Sequence, residues 1–153
     1  MKNSLQIEPQ VYQELVDFYG QLFDMPPLSA KIYAYLAFDF ERKGLCFDDL
    51  VETFCASKSS ISASINFLLN AELIKSLNKI DERKRYFLIN ESFINIRFEE
   101  IVTRMKREIK ILDQLSDFRR TRVDNTEYDK RYILYKSLLE KNIANIQETL
   151  DKL

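Results

Sequence analysis

The stretch FDDLVETFCASKSSISASINFLL, residues 47–69, decides the fold. It predicts a short helix, a tight turn at Cys55 and Ala56, and a second helix over 57–70 with Ser57 as its N-cap. A serine hydroxyl there can accept a hydrogen bond from an otherwise unpaired first-turn N–H. Ile61, Ile65 and Leu68 recur at spacings of four and three, so one face of the second helix is buried. The other face is small and polar. Ser59, Ser62, Ala63 and Asn66 would let it approach the edges of DNA bases without a steric barrier, with Ser60 beside them. Lys58 and the helix N-terminus at Ser57 suit phosphate.

The next stretch, AELIKSLNKIDERKRYFLI at 71–89, holds two apolar runs separated by a charged, turn-forming connection. Leu73, Ile74 and Leu77 belong to the first run, and Tyr86, Phe87, Leu88 and Ile89 to the second. This pattern predicts a two-stranded hairpin with a basic tip over 78–85, placed like the wing of a winged helix. Arg83, Lys84 and Arg85 would then reach a phosphate or the minor groove.

Three blocks, MPPLSAKIYAYLAF (25–38), FDDLVETFCASKSSIS (47–62) and DERKRYF (81–87), resemble in order and spacing the GbsR-like branch of the MarR superfamily of bacterial transcriptional regulators. The resemblance covers roughly residues 12–89. It departs from the family pattern at Cys55 and Glu72, which stand where the helix turn and the approach to the first wing strand carry glycine. It implies a mainly α fold with a small β-hairpin wing, a winged helix-turn-helix with N- and C-terminal dimerisation helices. The expected division is 1–27, an N-terminal dimerisation helix; 28–90, the DNA-binding domain; and 91–153, a C-terminal helical dimerisation region. It also implies a small-molecule effector held between head and dimer helices, this branch being associated with choline and glycine betaine metabolism. Tyr12, Phe18, Tyr19, Tyr33 and Phe93 are the candidate aromatic cage for a quaternary ammonium. Rings in such positions more often form core.

Composition points the same way. The 153 residues are 46% apolar, enough for a core, and hold only 2 Gly and 3 Pro, which favours long helices over a many-turned β fold. No apolar run approaches the roughly 20 residues of a membrane span, and MKNSLQIEPQ at the start lacks a signal-peptide core. A cytoplasmic location is the expectation, with no membrane partner. Net charge is −1, but it is unevenly spread: residues 1–56 carry 4 basic and 9 acidic side chains, and 57–90 carry 6 basic and 3 acidic. The positive segment coincides with the second helix and the hairpin. Solvation of a surface hairpin would explain the charge alone equally well; the capped, small-faced helix beside it tips the balance.

The remainder reads as helices. One spans 8–23, with Val11, Leu15, Phe18 and Leu22 on one stripe, and is ended by Pro26 and Pro27. Another starts at Ser29 and closes between Asp39 and Gly44. A short extended segment at 45–47 would pair with the hairpin, and Asp48 would cap the helix that follows. After a turn at 90–92, a long helix carries Phe93, Phe98, Ile101, Met105, Ile109, Leu112 and Leu115. The polar run RRTRVDNT at 119–126 reads as a connection to a last helix from about Glu127, with Tyr128, Tyr132, Tyr135, Leu139, Ile143, Ile146 and Leu150 on one seam. A seam that long needs another helix over it, from the same chain or a second copy.

These features predict a homodimeric transcriptional regulator that binds double-stranded DNA and carries no cofactor or metal. The contending class is a winged-helix adaptor that binds protein and not DNA. An enzyme is disfavoured: the chain has no histidine, no glycine-rich phosphate loop, and no Ser or Cys beside a visible base. Cys46 and Cys55 have neither the spacing nor the histidine partners of a zinc clip, and packing is their expected role.

Overall fold

Prolines set where the first two helices begin. In the computed structural model, which describes residues 4–153, Pro9 opens α1 (Pro9–Leu22) and Pro27 opens α2 (Pro27–Leu36). Proline suits the first helical position because its φ is already helical and the N–H it lacks has no intrahelical partner there. Glu8 caps α1, its carboxylate accepting the N–H groups of Gln10 and Val11 at 3.3 and 2.7 Å. Pro27 starts α2 two residues ahead of the expected Ser29, while α1 is stopped before the proline pair by Asp24 at φ +49, where the Asp24 and Met25 N–H groups bond the Gln21 and Gly20 carbonyls at 3.3 and 2.9 Å. At its other end α2 stops at Leu36, short of the expected 39–44.

The described residues fall into two compact units, Met1–Glu91 and Ser92–Leu153. The helix of the expected 1–27 segment lies in the first, against α2; residues 1–3 of that segment are outside the described residues. Tyr19 meets Tyr33 edge to face at 5.3 Å, and a Cβ on Gly20 would stand 3.4 Å from that of Ala30. No residue of α1 is buried. Of the stripe the periodicity singled out, Val11, Phe18 and Leu22 are exposed at 45%, 60% and 41%, and Leu15 is half-buried. The side bearing Tyr12 and Tyr19 is the one turned to α2, where the Tyr12 hydroxyl meets the Lys31 carbonyl at 3.5 Å.

Strand β1 (Leu45–Cys46) pairs antiparallel with β3 (Arg85–Ile89), which also pairs with β2 (Ile74–Asn78), so the sheet order is β1-β3-β2. The register sets Leu45 opposite Phe87 and Leu77 opposite Tyr86. Gly44 feeds this sheet at φ +76, and a Cβ there would come within 2.9 Å of Tyr86 Cβ, so both conformation and space call for glycine. At the other end the Asn90 N–H bonds the Leu73 carbonyl at 3.0 Å, and the Asn90 side-chain amide bonds that of Glu72 at 2.9 Å.

Helix α3 (Phe47–Phe54) corrects the expected cap. Its N-cap is Cys46, not Asp48, and the Asp49 carboxylate accepts the Cys46 N–H at 3.2 Å in a capping box. Cys46 ends β1 in extended conformation, so the helix begins two residues earlier and Asp49 arrives at the third position, where a capping-box acid belongs. Asp48 remains in the first turn, near the positive end of the helix dipole. Helix α4 (Lys58–Asn70) follows and packs against α2.

The second unit is a helical hairpin of α5 (Phe93–Arg120) and α6 (Thr126–Leu150). The expected polar connection 119–126 shortens, because α5 runs on through Arg120. The Arg119 guanidinium lies 4.3 Å from the Tyr128 ring centroid, pairs with Asp129 and donates to the Val123 carbonyl at 3.2 Å. Those contacts hold the last turn helical, and two arginines suit its negative end. Asn125 caps α6 by accepting the Tyr128 N–H at 3.1 Å. On the expected seam Leu139 and Ile143 are buried, whereas Tyr135 is exposed; on α5 Leu115 is half exposed and Val102 and Ser116 hold the buried positions. Polar ties complete the pairing: Asp113 accepts from Tyr132 and, at 2.9 Å, from Lys136, and Tyr135 donates to Glu108 at 2.6 Å.

Candidate nucleic-acid interface

Helix α4 is fixed by what it buries. Ile61, Ile65 and Leu68 are 0–4% exposed, as their spacing requires, and Ser64 is buried among them. At the start, the Ser57 hydroxyl accepts the Ser60 N–H at 3.2 Å, donates to the Ser60 hydroxyl at 2.8 Å and lies 3.2 Å from that of Ser59. Ser57 and Ser60 thus build the cap. Ser59, Ala63 and Asn66 form an exposed stripe opposite the buried face, with Ser62 on its flank. Asn70 continues that stripe by one more step of four and is also exposed. The sequence reading missed it, although the same spacing would have found it.

Two left-handed residues bracket the helix. Cys55, at φ +49, makes the turn from α3, and Glu72, at φ +59, makes the turn toward β2. The Leu73 N–H then closes on the Leu68 carbonyl and the Glu72 N–H on that of Leu69, both at 3.0 Å. The turns keep glycine-type conformations at the two positions that lack glycine.

In the wing, Lys79 Nζ sits 3.8 Å from the Tyr86 ring centroid and the Arg85 guanidinium 5.2 Å from that of Phe87. Tyr86 donates to Glu82, and that bond, followed by burial, pushes its pKa to about 12. Arg83, Lys84 and Arg85 line a cleft of about 300 Å³ with Cys46, Phe47, Asp48 and Phe87. Lys58, Arg83 and Lys84 form no ion pair among the described residues, so their charge is available to an anion. All ten expected DNA contacts, Ser57 through Asn66 on the helix and Arg83 through Arg85 on the wing, are exposed.

No family model and no curated protein matches the chain. Among solved structures, a crystal structure of a transcriptional regulator aligns over 94% of this chain and 95% of its own, at 15% identity and a TM-score of 0.56. MepR, a transcription regulator of the Staphylococcus aureus multidrug efflux pump MepA, aligns over 87% and 90% at 15% identity and a TM-score of 0.44. A Staphylococcus aureus MepR–DNA complex aligns over 71% and 90% at 17% identity and a TM-score of 0.45. What the first of these shares with this chain is its fold. The chain folds as a winged helix.

The other expected sites distribute unevenly over this winged helix. Tyr12, Phe18, Tyr19 and Tyr33 lie in the first unit, and Phe93 opens α5 in the second. Tyr19 touches Phe18 at 5.2 Å as well as Tyr33, so these rings pack on one another. Burial, then Tyr35, raises the pKa of Tyr12. Of the two cysteines, Cys46 is buried and its thiol is pushed up by burial, while Cys55 is exposed. The packing expected of Cys55 fails there because its left-handed backbone turns the side chain outward, with Sγ 3.5 Å from the Glu52 carbonyl. Among the described residues no group of three His, Cys, Asp or Glu could hold a metal, and no helix is long and apolar enough to cross a membrane.

Proposed function

We propose that this winged helix is a sequence-specific, DNA-binding transcriptional regulator of the MarR superfamily, in its GbsR-like branch. The observation that carries the reading is one surface: a Ser57-capped helix with a small polar outer face, next in the chain to a hairpin on which Arg83 and Lys84 are exposed and form no ion pair among the described residues. Helix α4 enters the major groove, where Asn66 is suited to adenine, and residues 78–85 lie on the backbone or in the minor groove. Serines discriminate weakly between bases, so shape and deformability of the duplex carry part of the specificity.

The regulator acts as a homodimer. Apolar side chains left in water support this: Val11, Phe18 and Leu22 on α1, Ile111, Leu115 and Phe118 on α5, and Leu134 and Leu138 on α6 are all more than two-fifths exposed. Each returns roughly 1.5–3 kcal/mol only when fully covered. Two copies of α4 about 34 Å apart would read an inverted repeat. By its resemblance the regulator answers to a small molecule that binds the DNA-competent and DNA-incompetent dimers unequally. Added choline or glycine betaine should change its DNA affinity; no change at millimolar concentration removes that effector.

Selection of bound genomic fragments by the purified protein, followed by titration of the recovered duplex at several salt concentrations, tests the function. Log K should fall with log salt at about −0.9 per phosphate contact. A chain that recovers no sequence and binds no duplex is the adaptor instead.

A further inference from the structure

The wing ends in a side chain that its own hairpin does not use. Its turn runs from Lys79 to Glu82, closed by the Glu82 N–H on the Lys79 carbonyl at 3.2 Å, with Asp81 at φ +65. Ile80 is therefore the first corner residue, followed by one in the positive-φ position of a type II turn. It is 91% exposed, more than any other large apolar side chain among the described residues. Its neighbours are drawn back: the Lys79 ammonium lies over the Tyr86 ring, and the Glu82 carboxylate takes the Tyr86 hydroxyl. Ile80 stands clear of them at the tip. A branched apolar side chain there adds nothing to the fold, since only removal from water makes it favourable.

The surroundings indicate what covers it. Arg83, close by in sequence, is exposed and without an ion pair among the described residues, and residues 57–90 carry 6 basic and 3 acidic side chains. A two-residue corner is slim enough for a minor groove about 6 Å wide. Isoleucine is one of the apolar side chains able to enter between base steps, partly unstacking and kinking the duplex. We infer that Ile80 is a minor-groove wedge that makes the wing prefer an easily unstacked pyrimidine–purine step. The inference rests on the DNA-binding reading above and adds a specificity-determining residue to it.

The test compares the full-length protein with Ile80→Ser and Arg83→Ala on the duplex the wild type selects, and on copies whose flanking TA or CA steps are replaced by stiff AA. Ile80→Ser should lose about ten-fold in affinity on the selected duplex and under two-fold on the AA copies, because TA and CA steps are the ones that unstack cheaply. Its salt dependence should match the wild type, whereas Arg83→Ala should flatten the slope by about 0.9 through loss of one phosphate contact. Permanganate should find a reactive, unstacked thymine in the wild-type complex that is protected in the Ile80→Ser complex. Wild-type affinity and thymine reactivity in Ile80→Ser, with Arg83→Ala weakened, overturn the wedge and leave the regulator standing. Absence of wild-type binding at every salt concentration overturns both.

Discussion

Cys55 and Glu72 stand at opposite ends of α4 and share one backbone conformation, left-handed at φ +49 and +59. Each is a residue with a Cβ in a region that glycine enters freely, at a cost on the order of 1–2 kcal/mol. Helix α4 is thus held between two strained turns.

Relieving either strain should stabilise the protein. Cys55→Gly and Glu72→Gly each remove the Cβ conflict but make the unfolded chain more flexible, so the net gain should be about 0.5–1 kcal/mol. Urea midpoints rising in both variants at an unchanged m value would bear this out; falling midpoints would show that the side chains contribute more than the strain costs.

Asn66 is the exposed amide on the middle of the α4 outer face. Asn66→Ala should relax preference at one operator position, with a loss of about 1–3 kcal/mol against the preferred base, more than it lowers binding to unrelated DNA. Competition between operators mutated at single positions measures this. A uniform loss would move Asn66 onto the sugar–phosphate backbone.

The Tyr132–Asp113 bond ties α6 to α5 and makes the second unit sensitive to pH at both extremes. The Tyr132 hydroxyl first, then Lys136, lowers the pKa of Asp113 from 3.8, so its contribution is complete above that value and is lost as pH falls through the lower folded pKa. Tyr132 is raised from 10.0 to about 12 by burial first and this hydrogen bond second. Its contribution is complete below pH 10.0 and disappears as pH rises through about 12. Tyr132→Phe should therefore be less stable than wild type at neutral pH, and the gap should narrow at both limbs of a stability–pH curve. A constant gap would assign the loss to packing.

Arg119 closes the α5–α6 turn through Asp129, the Val123 carbonyl and the Tyr128 ring. Arg119→Ala should cost about 1–2 kcal/mol, well below the loss of a fully buried pair, because its partners keep partial access to water. Chemical denaturation of the full chain gives the number. Asp129→Asn, which keeps the shape and removes the charge, should reproduce part of the loss if charge is what matters.

The exposed stripe of α1 and that of α5 can be tested together. Phe18→Asp combined with Leu115→Asp should shift the sedimenting mass from twice the chain mass of 18.2 kDa to that mass itself. It should also lower operator affinity far more than Asn66→Ala, since a monomer reads only half of an inverted repeat. An intact dimer in this variant would place the interface elsewhere.

Much of α4 and the wing was legible from the chain alone because its signals are local. Ser57 caps through atoms three residues away, Ile61, Ile65 and Leu68 share a face by periodicity, and a charged connection between two apolar runs makes a hairpin. The cap of α3 was not legible. Asp48 and Asp49 are equivalent in composition, and β1 pairing with β3 decides between them by holding Cys46 extended. The extent of α5 escaped for a similar reason, since contacts between Arg119 and α6 keep helical what reads as polar linker.

The amino-acid order by itself determined which segments are helices, where the hairpin turns and which face of α4 is buried, because capping, periodicity and turn chemistry act over a few residues. Only the tertiary structure decided which stripe of α1 meets α2, which acid closes α3 and which wing cations fold back onto aromatic rings. Those outcomes depend on partners distant in sequence, and local spacing carries no record of them.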